Sequence, residues 1–355
     1  MTVALVYDRV NKFGGAEKIL LALHQLWPKA PLFTAVYDPK GAPWAKVFPE
    51  VIPSFLQSFP WAKTHHELYP WLTPVAFESF DFKGYDLVVS VTSAEAKAII
   101  TRPETHHLCY CLTPTRYLWS HRQEYLQEPG LGSWLKPWQP YLRNNDLVYS
   151  QRPDTYIAIS KTVQQRIKRY YRRDSTVIYP PVDTARFSRP RPRPRQPDYF
   201  LIVSRLVAYK QIDLAIQAFN RLKLPLVIIG QGRDRPRLER LAGPTISFTG
   251  WVSEVKLIAY LQNCQALIMP QEEDFGIAAV EVQAAGRPVI AFGRGGATET
   301  VINHQTGWLF PKMQVDSLIA AVKQFKARPF ETKKLILQAK KFDTKIFMKA
   351  WQTYQ

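Results

Sequence analysis

Short apolar runs alternate with amphipathic stretches along this chain, and this feature restricts its possible folds more than any other. Runs such as Val3–Tyr7 and Phe200–Ser204 have the length and apolar content of buried strands, whereas Ala16–Leu26 and Asp213–Leu222 space their apolar residues as helices do. Because strands that alternate with helices pair in parallel, the pattern predicts an α/β protein with doubly wound sheets. The expected strands are Val3–Tyr7, Leu87–Val91, Leu108–Cys111, Thr155–Ile159 and Val177–Tyr179, then Phe200–Ser204, Leu226–Ile229, Ile246–Phe248, Ala266–Met269 and Val289–Ala291.

A proline-rich basic tract divides the alternating pattern into two halves. Its core, Arg189-Pro-Arg-Pro-Arg-Pro-Arg195, can form neither a helix nor a central strand, and repulsion between its cations extends it. A chain of 355 residues is long enough for two domains with separate cores. The sequence therefore predicts an N-terminal domain over residues 1–180, a linker over 181–198 and a C-terminal domain over 199–341.

The formal net charge of +18 indicates an anionic partner without identifying it. Nucleic acid, anionic lipid headgroups and phosphorylated ligands would all be attracted, and surface cations that serve solubility are the alternative. The three cysteines form no disulfide framework, and no apolar run reaches the length of about 18 residues that a membrane span requires. The first residues lack the cationic start of a signal peptide, so a cytoplasmic location is expected.

Two carboxylates flank a Phe-Gly step in the second half of the chain. Glu273 is expected in the loop after the strand Gln265–Met269, and Glu281 about one turn inside a helix that begins at Ile277. At about 1.5 Å per helical residue, plus the loop, their separation is roughly 10 Å. This span suits an extended ligand with hydroxyls at both ends and an anionic group at the helix N-terminus, although two solvated acids would give the same pattern.

Three further segments follow predicted strands and could bind an anion. Gly14 and Gly15 open the first helix, where backbone N–H groups can approach a phosphate, although a tight turn is the simpler explanation. Arg205 and Lys210 follow the first strand of the second half, at the strand end where α/β sheets bind ligands; two surface cations are the alternative. Gly293–Glu299 forms a third turn, in which Thr298 is a plausible helix cap.

Taken together and in this order, these segments resemble the family 4 retaining glycosyltransferases of the GT-B fold, over nearly the whole chain. Thr113–Trp119 is similar to a segment of bacterial mannosyltransferase-like enzymes of surface-polysaccharide assembly. The resemblance implies two Rossmann-like doubly wound domains facing a central cleft, the first binding the acceptor and the second the nucleotide sugar. A helix at about residues 342–355 would pack back on the first domain. The matching segments are Ile159-Ser160, Val177–Asp183, Val203–Lys210, Glu273–Glu281 and Ala285–Ile290.

The resemblance also implies roles for the charged residues. Glu281 would accept hydrogen bonds from the donor ribose, and Glu273 would hold sugar hydroxyls near the reacting carbon. Arg205 and Lys210 would neutralise the diphosphate as the leaving group develops charge. No cofactor and no metal ion is expected, because the two cations take the place of Mg²⁺. The remaining donor contacts are expected at Phe275, Gly276, Ile277, Gly14 and Gly15.

One position departs from the family pattern. Relatives usually carry His before Thr-Pro in the segment that here contains Leu112 and Thr113. Leucine can neither donate nor accept a hydrogen bond, so three outcomes stay open: activity through another sugar contact such as Thr113 or His121, slow activity, or binding without catalysis. Leu112, Thr113 and Arg116 are expected to line the cleft or the acceptor site.

The donor and acceptor are inferred from the resemblance. GDP-mannose is the first expectation and a UDP-hexose the second, with a glycan or polyprenyl-linked sugar as acceptor. Trp119, Trp134 and Trp138 could contact an anionic membrane at the inner leaflet, line an acceptor groove, or pack in the core. A nucleic-acid-binding protein is the alternative from a different class. Its recognition patterns are missing from the sequence, so nucleic acid is not the expected partner.

Overall fold

A computed structural model describes residues 1–65, 68–126, 136–188, 199–326 and 329–354. The chain forms two compact units. Unit 1 contains residues 1–179 together with the C-terminal residues 348–355, and unit 2 contains residues 180–347. Each unit consists of a parallel sheet with helices on its faces, so the predicted α/β fold with two doubly wound, Rossmann-like domains is confirmed.

The sheet of unit 1 contains seven parallel strands in the order β3-β2-β1-β4-β5-β6-β7. Its central strands are buried on both faces, as parallel strands under two helical layers must be. Strands β2 and β3, each three residues long, were not among the predicted strands. The strands are β1 Val3–Tyr7, β2 Leu32–Thr34, β3 Val51–Pro53, β4 Leu87–Thr92, β5 His106–Cys111, β6 Thr155–Ala158 and β7 Thr176–Val177.

The helices of unit 1 cover this sheet. Helix α5 begins after Ser160, whose side-chain oxygen accepts a hydrogen bond from the N–H of Val163 at 3.1 Å, an N-cap that the sequence pattern allows. The α-helices are α1 Gly15–Leu26, α2 Leu72–Glu78, α3 Arg122–Leu126, α4 Gln139–Tyr149 and α5 Lys161–Tyr171. The 3-10 helices are Pro43–Val47, Phe55–Ser58, Ala96–Ala98 and Lys136–Trp138, with Gln352–Tyr354 at the C-terminus.

The sheet of unit 2 contains six parallel strands in the order β10-β9-β8-β11-β12-β13. Numbered within the unit, this is the order 3-2-1-4-5-6 of a doubly wound dinucleotide-binding sheet. The chain direction across the sheet reverses between β8 and β11, and ligands of such sheets bind outside the strand ends at this switch point. The strands are β8 Phe200–Val203, β9 Leu226–Ile229, β10 Ile246–Gly250, β11 Leu267–Met269, β12 Val289–Phe292 and β13 Gly307–Phe310.

Helices cover both faces of the second sheet and bury a continuous apolar core. Phe200 and Phe219 meet edge to face in this core, with their ring centroids 5.2 Å apart. The helices are α6 Thr184–Ser188, α7 Ile212–Leu222, α8 Arg235–Leu241, α9 Glu254–Asn263, α10 Ile277–Ala284, α11 Ala297–Thr300, α12 Val315–Lys326, α13 Thr332–Lys340 and α14 Thr344–Trp351. Helix α14 spans the boundary between the units, so its residues from Met348 onward belong to unit 1.

The segment predicted as a linker over 181–198 begins with ordered structure of unit 2. Residues Thr184–Ser188 form α6, the side chain of Phe187 is buried, and its carbonyl accepts a hydrogen bond from the Gln262 amide at 2.8 Å. Burial of this phenyl ring supplies a reason for the helix that the charge pattern did not reveal. The alternating Arg-Pro residues that motivated the prediction lie outside the described residues.

Candidate functional site

The loops after β8 and β11 are neighbours at the switch point of unit 2. Leu201 of β8 pairs with Leu267 of β11 in the parallel ladder, so the segments after the two strands leave the sheet at the same edge. The loop after β8 carries Arg205 and Lys210, and the loop after β11 carries Glu273. The sheet order therefore brings together three charged residues that the sequence placed in two separate motifs.

Lys210 and Glu273 form an ion pair across these loops. Nζ of Lys210 lies 2.5 Å from Oε1 of Glu273, and both side chains are largely shielded from solvent. The buried amide of Gln271 donates a second hydrogen bond to the same oxygen. Within the described part of the chain, Oε2 of Glu273 accepts no hydrogen bond, which leaves it available to a ligand hydroxyl.

The environment keeps Glu273 ionised. Burial raises the pKa of its carboxyl. The charge and hydrogen bond of Lys210, together with the hydrogen bond from Gln271, lower this pKa by more than burial raises it, so it lies below its ordinary value. An ionised carboxylate accepts hydrogen bonds at both oxygens and donates none. Glu273 is therefore suited to hold hydroxyl groups rather than to deliver a proton.

Tyr209 places an aromatic ring between the two cations of the β8 loop. The guanidinium of Arg205 donates a hydrogen bond to the Tyr209 hydroxyl, and the ammonium of Lys210 lies 5.4 Å from the Tyr209 ring centroid. Stacking and hydrogen bonding restrict both flexible side chains. The sequence pattern gave no signal for Tyr209 beyond its position next to Lys210.

Helix α10 begins directly after the Glu273 loop. Gly276 adopts φ +90° at the helix N-cap, a left-handed conformation that glycine adopts without strain, and no side chain among the described residues caps this end. The Phe275 ring is buried against Phe342, with centroids 5.3 Å apart. The backbone N–H groups of Phe275 and Ile277 at the helix start can therefore bind an anion, in line with the expectation from the sequence. The Phe275 side chain instead packs in the core.

The glycine turn after β12 packs on the Glu273 loop. The N–H of Gly296 donates a hydrogen bond to the Glu273 carbonyl at 2.7 Å, and a Cβ on Gly296 would lie 2.3 Å from the Phe275 Cα. Glycine is therefore required for the close approach of the two loops. Thr298, which the sequence offered as a helix cap, lies inside the short helix α11, whose N-cap is Gly296.

A further pair of glycines after β9 was missed by the sequence analysis. Gly230 adopts φ +141°, and a Cβ there would lie 1.8 Å from the carbonyl oxygen of Ser204; a Cβ on Gly232 would lie 2.1 Å from that of Leu206. Leu206 also donates its N–H to Gln231 at 2.9 Å, so the β9 loop supports the loop that carries Arg205. The Gly-x-Gly spacing at a strand end was the available signal.

Glu281 lies in the second turn of α10, as predicted, and is 5% exposed. Its side chain is on the same helix whose N-terminus follows the Glu273 loop. Charged side chains are rarely buried to this degree without a polar role. The structure thus places Glu281 with Arg205, Lys210 and Glu273 in unit 2.

The other predicted site residues lie in unit 1. Gly14 is the N-cap of α1 in an extended conformation, and Gly15 is the first residue of that helix. Leu112 is buried directly after β5, and its N–H donates a hydrogen bond to Thr92 at 2.8 Å. Thr113 is buried too, and its hydroxyl accepts a hydrogen bond from Arg166 at 3.5 Å.

Arg116 is partly buried in the same segment. A buried ion pair between Lys97 and Asp146, which the sequence pattern did not predict, holds this segment in place. Nζ of Lys97 lies 2.6 Å from Oδ1 of Asp146, and both residues are almost completely buried. Asp146 also accepts hydrogen bonds from Thr115 at 2.8 Å and from the Trp119 indole at 2.7 Å. This network fixes the segment on both sides of Arg116.

Two properties of the described residues bear on the expected class of protein. No group of three or more His, Cys, Asp or Glu side chains in these ranges is arranged to hold a metal ion. None of the helices in the same ranges combines the length and the apolar character needed to cross a membrane.

A comparison with known protein families gives a match in the second half of the chain. Residues 183–342 match the family model described as glycosyl transferases group 1. The glycogen synthase of Mycobacterium tuberculosis is 34% identical over 191 residues, which cover 50% of this chain and 45% of that protein. A GDP-mannose-dependent alpha-(1-6)-phosphatidylinositol monomannoside mannosyltransferase from the same species is 33% identical over 171 residues, covering 40% of this chain and 44% of that protein. The chain thus spans about half the length of these curated relatives.

Solved structures match over the whole length. The sucrose-phosphate synthase of Thermosynechococcus elongatus is similar with a TM-score of 0.78 at 18% identity, covering 100% of this chain and 98% of that one. The Anabaena HepE protein in complex with UDP and glucose gives 0.71 at 17% identity, covering 100% and 99%. At these identities the similarity establishes the fold, which is the GT-B arrangement of two Rossmann-like domains in one chain.

Proposed function

We propose that this chain, whose residues 183–342 match the family model described as glycosyl transferases group 1, moves a sugar from a nucleotide-diphosphate donor to an acceptor. The observation that carries the proposal is the meeting of Arg205, Lys210 and Glu273 at the switch point of unit 2. Two cations beside an ionised carboxylate with one free oxygen match the two ends of a diphosphate sugar.

The residues divide the chemistry between them. Arg205 and Lys210 neutralise the diphosphate, whose negative charge increases as the bond to the sugar breaks, and the start of α10 adds its N–H groups. Oε2 of Glu273 accepts sugar hydroxyls near the reacting carbon. Glu281 accepts hydrogen bonds from the ribose. Transfer with retention of configuration and without a metal ion is part of the proposal and follows the family resemblance.

The donor is proposed to be GDP-mannose first and a UDP-hexose second. A mannosyltransferase that is 33% identical to this chain over 171 residues is named as GDP-mannose-dependent, which supports the first choice. The HepE protein, which shares the fold, is in complex with UDP and glucose. This complex supports a UDP-hexose as the second choice of donor. The acceptor is proposed to be a glycan or a polyprenyl-linked sugar.

A peripheral contact with an anionic membrane surface belongs to the same proposal. In unit 1 the rings of Trp71 and Trp138 lie 5.7 Å apart at the surface, and Tyr141 is exposed one helical turn beyond Trp138. Amphipathic rings of this kind favour the membrane–water interface, and the net charge of +18 favours anionic lipids. Trp138→Ala should weaken sedimentation with phosphatidylglycerol vesicles, whereas binding equal to the wild type would contradict the contact.

A second function is supported by Leu112. This buried leucine stands where family members usually carry His, so the chain could bind a nucleotide sugar while transferring it slowly or not at all. The two functions share the donor site and differ in turnover. A panel of GDP- and UDP-sugars, scored both for binding by thermal shift and for hydrolysis or transfer, separates them. Binding without turnover supports the second function, and no binding to any donor contradicts both.

A further inference from the structure

Two buried glutamines meet at one backbone carbonyl in unit 2. Gln283 lies on α10 and Gln338 on α13, and both side chains are almost completely buried. The side-chain amide of Gln283 donates a hydrogen bond to the carbonyl of Thr300 at 3.0 Å, and that of Gln338 donates one to the same carbonyl at 3.3 Å. None of the proposed donor contacts involves either glutamine.

Thr300 is the last residue of α11, the helix that follows the glycine turn after β12. The carbonyl groups at the end of a helix have no partner in a following turn, so they need donors from elsewhere. The two glutamine amides supply such donors. The Gln283 amide also donates to the carbonyl of Ala279 in its own helix at 2.9 Å, so hydrogen bonds join α10, α11 and α13 at this place.

The other end of α11 is joined to the loop that carries Glu273. The N–H and the hydroxyl of Thr300 both donate to the carbonyl of Gly296 at 3.1 Å. The N–H of Gly296 in turn donates to the carbonyl of Glu273 at 2.7 Å. A continuous series of hydrogen bonds therefore runs from the two glutamines through α11 to the backbone of Glu273.

The two glutamines are costly residues for a protein core. Oε1 of Gln283 and Oε1 of Gln338 are buried, and no donor within the described part of the chain reaches either oxygen. A buried polar atom without a partner lowers stability, whereas apolar side chains of the same shape would avoid this cost. A core that contains such groups near a candidate site is expected to gain a fixed geometry from them.

We propose that Gln283 and Gln338 are positioning residues for Glu273, whose backbone they hold in place through α11 and Gly296. Gln283 lies two residues after Glu281 on α10, so the same hydrogen bonds help to fix the distance between the two carboxylates. The importance of this arrangement for sugar transfer rests on the proposed function, whereas the link between the glutamines and the Glu273 loop does not.

Amide hydrogen exchange, measured by mass spectrometry on the full chain, tests the link without any activity. Methionine is close to glutamine in length and donates no hydrogen bond, so Gln283→Met and Gln338→Met remove the contacts to Thr300 with little change in volume. The double variant should exchange the amides of residues 293–301 about tenfold faster than the wild type, because the hydrogen bonds of Gly296 and Thr300 lose their support.

Gln262→Met is the matched control for these variants. Gln262 is a buried glutamine on α9 of the same unit, and its amide donates to the carbonyl of Phe187 rather than to α11. The control also loses a buried amide and its hydrogen bond. It should leave exchange over residues 293–301 at the rate of the wild type.

Steady-state kinetics, with the GDP- or UDP-sugar that the wild type turns over fastest, tests the role in transfer. Because Glu273 is proposed to hold the sugar and not the nucleotide, the double variant should lower kcat about tenfold while the Kd values of GDP and UDP stay within about twofold of the wild type. Gln262→Met should keep the kcat of the wild type even where its melting temperature changes.

Three outcomes would overturn the inference: exchange over residues 293–301 unchanged in the double variant, faster exchange with unchanged kcat, or an equal loss of kcat in Gln262→Met. If the double variant does not fold, the single variants decide in the same way, each with an expected loss of kcat of about threefold. A wild type that neither binds nor turns over any GDP- or UDP-sugar contradicts the proposed function instead, and the exchange rates then decide alone whether the glutamines hold the Glu273 loop.

Discussion

Lys210 Nζ lies 2.5 Å from Glu273 Oε1, although 63 residues separate the two positions in the chain. The pair joins the loop after β8 to the loop after β11 at the switch point of the second sheet. It keeps the carboxylate ionised and fixes the ammonium beside it. Because both hydrogen bonds reach one oxygen, the other stays open to a ligand.

Removal of the Lys210 ammonium should weaken stabilisation of the diphosphate and thereby lower activity. We expect Lys210→Ala to lower transfer from a nucleotide sugar by about 10²–10³-fold, the loss typical of one group that stabilises developing charge. Steady-state kinetics over a donor panel measures the effect. Lys323→Ala, an exposed lysine on α12, is the matched control and should behave as the wild type. Equal activity of the two variants would remove Lys210 from the site.

The stabilising contribution of the Glu273 carboxylate should be lost in acid. Its pKa is lowered in the folded protein, so its contribution is complete above the ordinary value of 4.5 and is lost as the pH falls through the lower native pKa. The melting temperatures of the wild type and of Glu273→Gln should therefore differ most above pH 4.5 and converge below it. A difference that is constant from pH 7 to about pH 2 would contradict the ion pair as its source.

The glycine loop after β9 should tolerate no side chain at Gly230. A Cβ there meets the Ser204 carbonyl at 1.8 Å, and backbone cannot move aside without displacing the Arg205 loop. Gly230→Ala should cost more than about 3 kcal/mol in unfolding free energy, beyond the roughly 1–2 kcal/mol of left-handed strain. Gly250→Ala is the control in the same unit, since it has φ +69° and its Cβ would meet only the flexible end of Arg235. Equal losses in denaturant unfolding would show that strain alone matters.

The buried pair Lys97–Asp146 should be far more important for stability than a surface pair. Lys97→Met leaves the Asp146 carboxylate buried without its cation and should cost about 3–5 kcal/mol. Lys168→Met is the control, because the side chains of Lys168 and Asp174 are 63% and 92% exposed and such a pair contributes less than about 1 kcal/mol. Urea unfolding of both variants measures the difference, and similar losses would contradict the network as the support of the Thr113–Trp119 segment.

Leu112→His tests whether the chain is an impaired enzyme. The imidazole can donate a hydrogen bond where the buried leucine cannot, so turnover of the preferred nucleotide sugar should rise by about tenfold or more. Leu112→Met keeps the volume and the apolar character and should leave turnover unchanged. If Leu112→His remains folded by thermal shift and gains no activity, the leucine does not limit catalysis.

Much of the architecture could be predicted from local pattern. Strands such as β1 and β9 lie at their predicted bounds, because a run of buried apolar residues between turns has few alternatives. Strands β2, β3 and β13 were not predicted, because an apolar run of three or four residues does not by itself distinguish a strand from other structure, and β3 contains Pro53. Helix α6 was not predicted, because the charged residues around it dominate the local pattern, whereas its packing depends on one buried apolar side chain, that of Phe187.

The candidate site shows the same division. Their places after predicted strands or at a predicted helix start, together with the family resemblance, made Arg205, Lys210, Glu273 and Glu281 candidate site residues. Gln271, Tyr209 and Gly230 were not identified, because their roles depend on contacts between loops that are distant in sequence.

By itself, the sequence determined the fold class and the division into two sheets, and it indicated the strand ends that carry the candidate site, because these follow from local periodicity and residue type. The tertiary structure alone decided that Lys210 and Gln271 share one oxygen of Glu273. The reason is geometric: a residue pattern states which groups can form hydrogen bonds, whereas the order of strands and the packing of loops set which atoms meet and which stay open to a ligand.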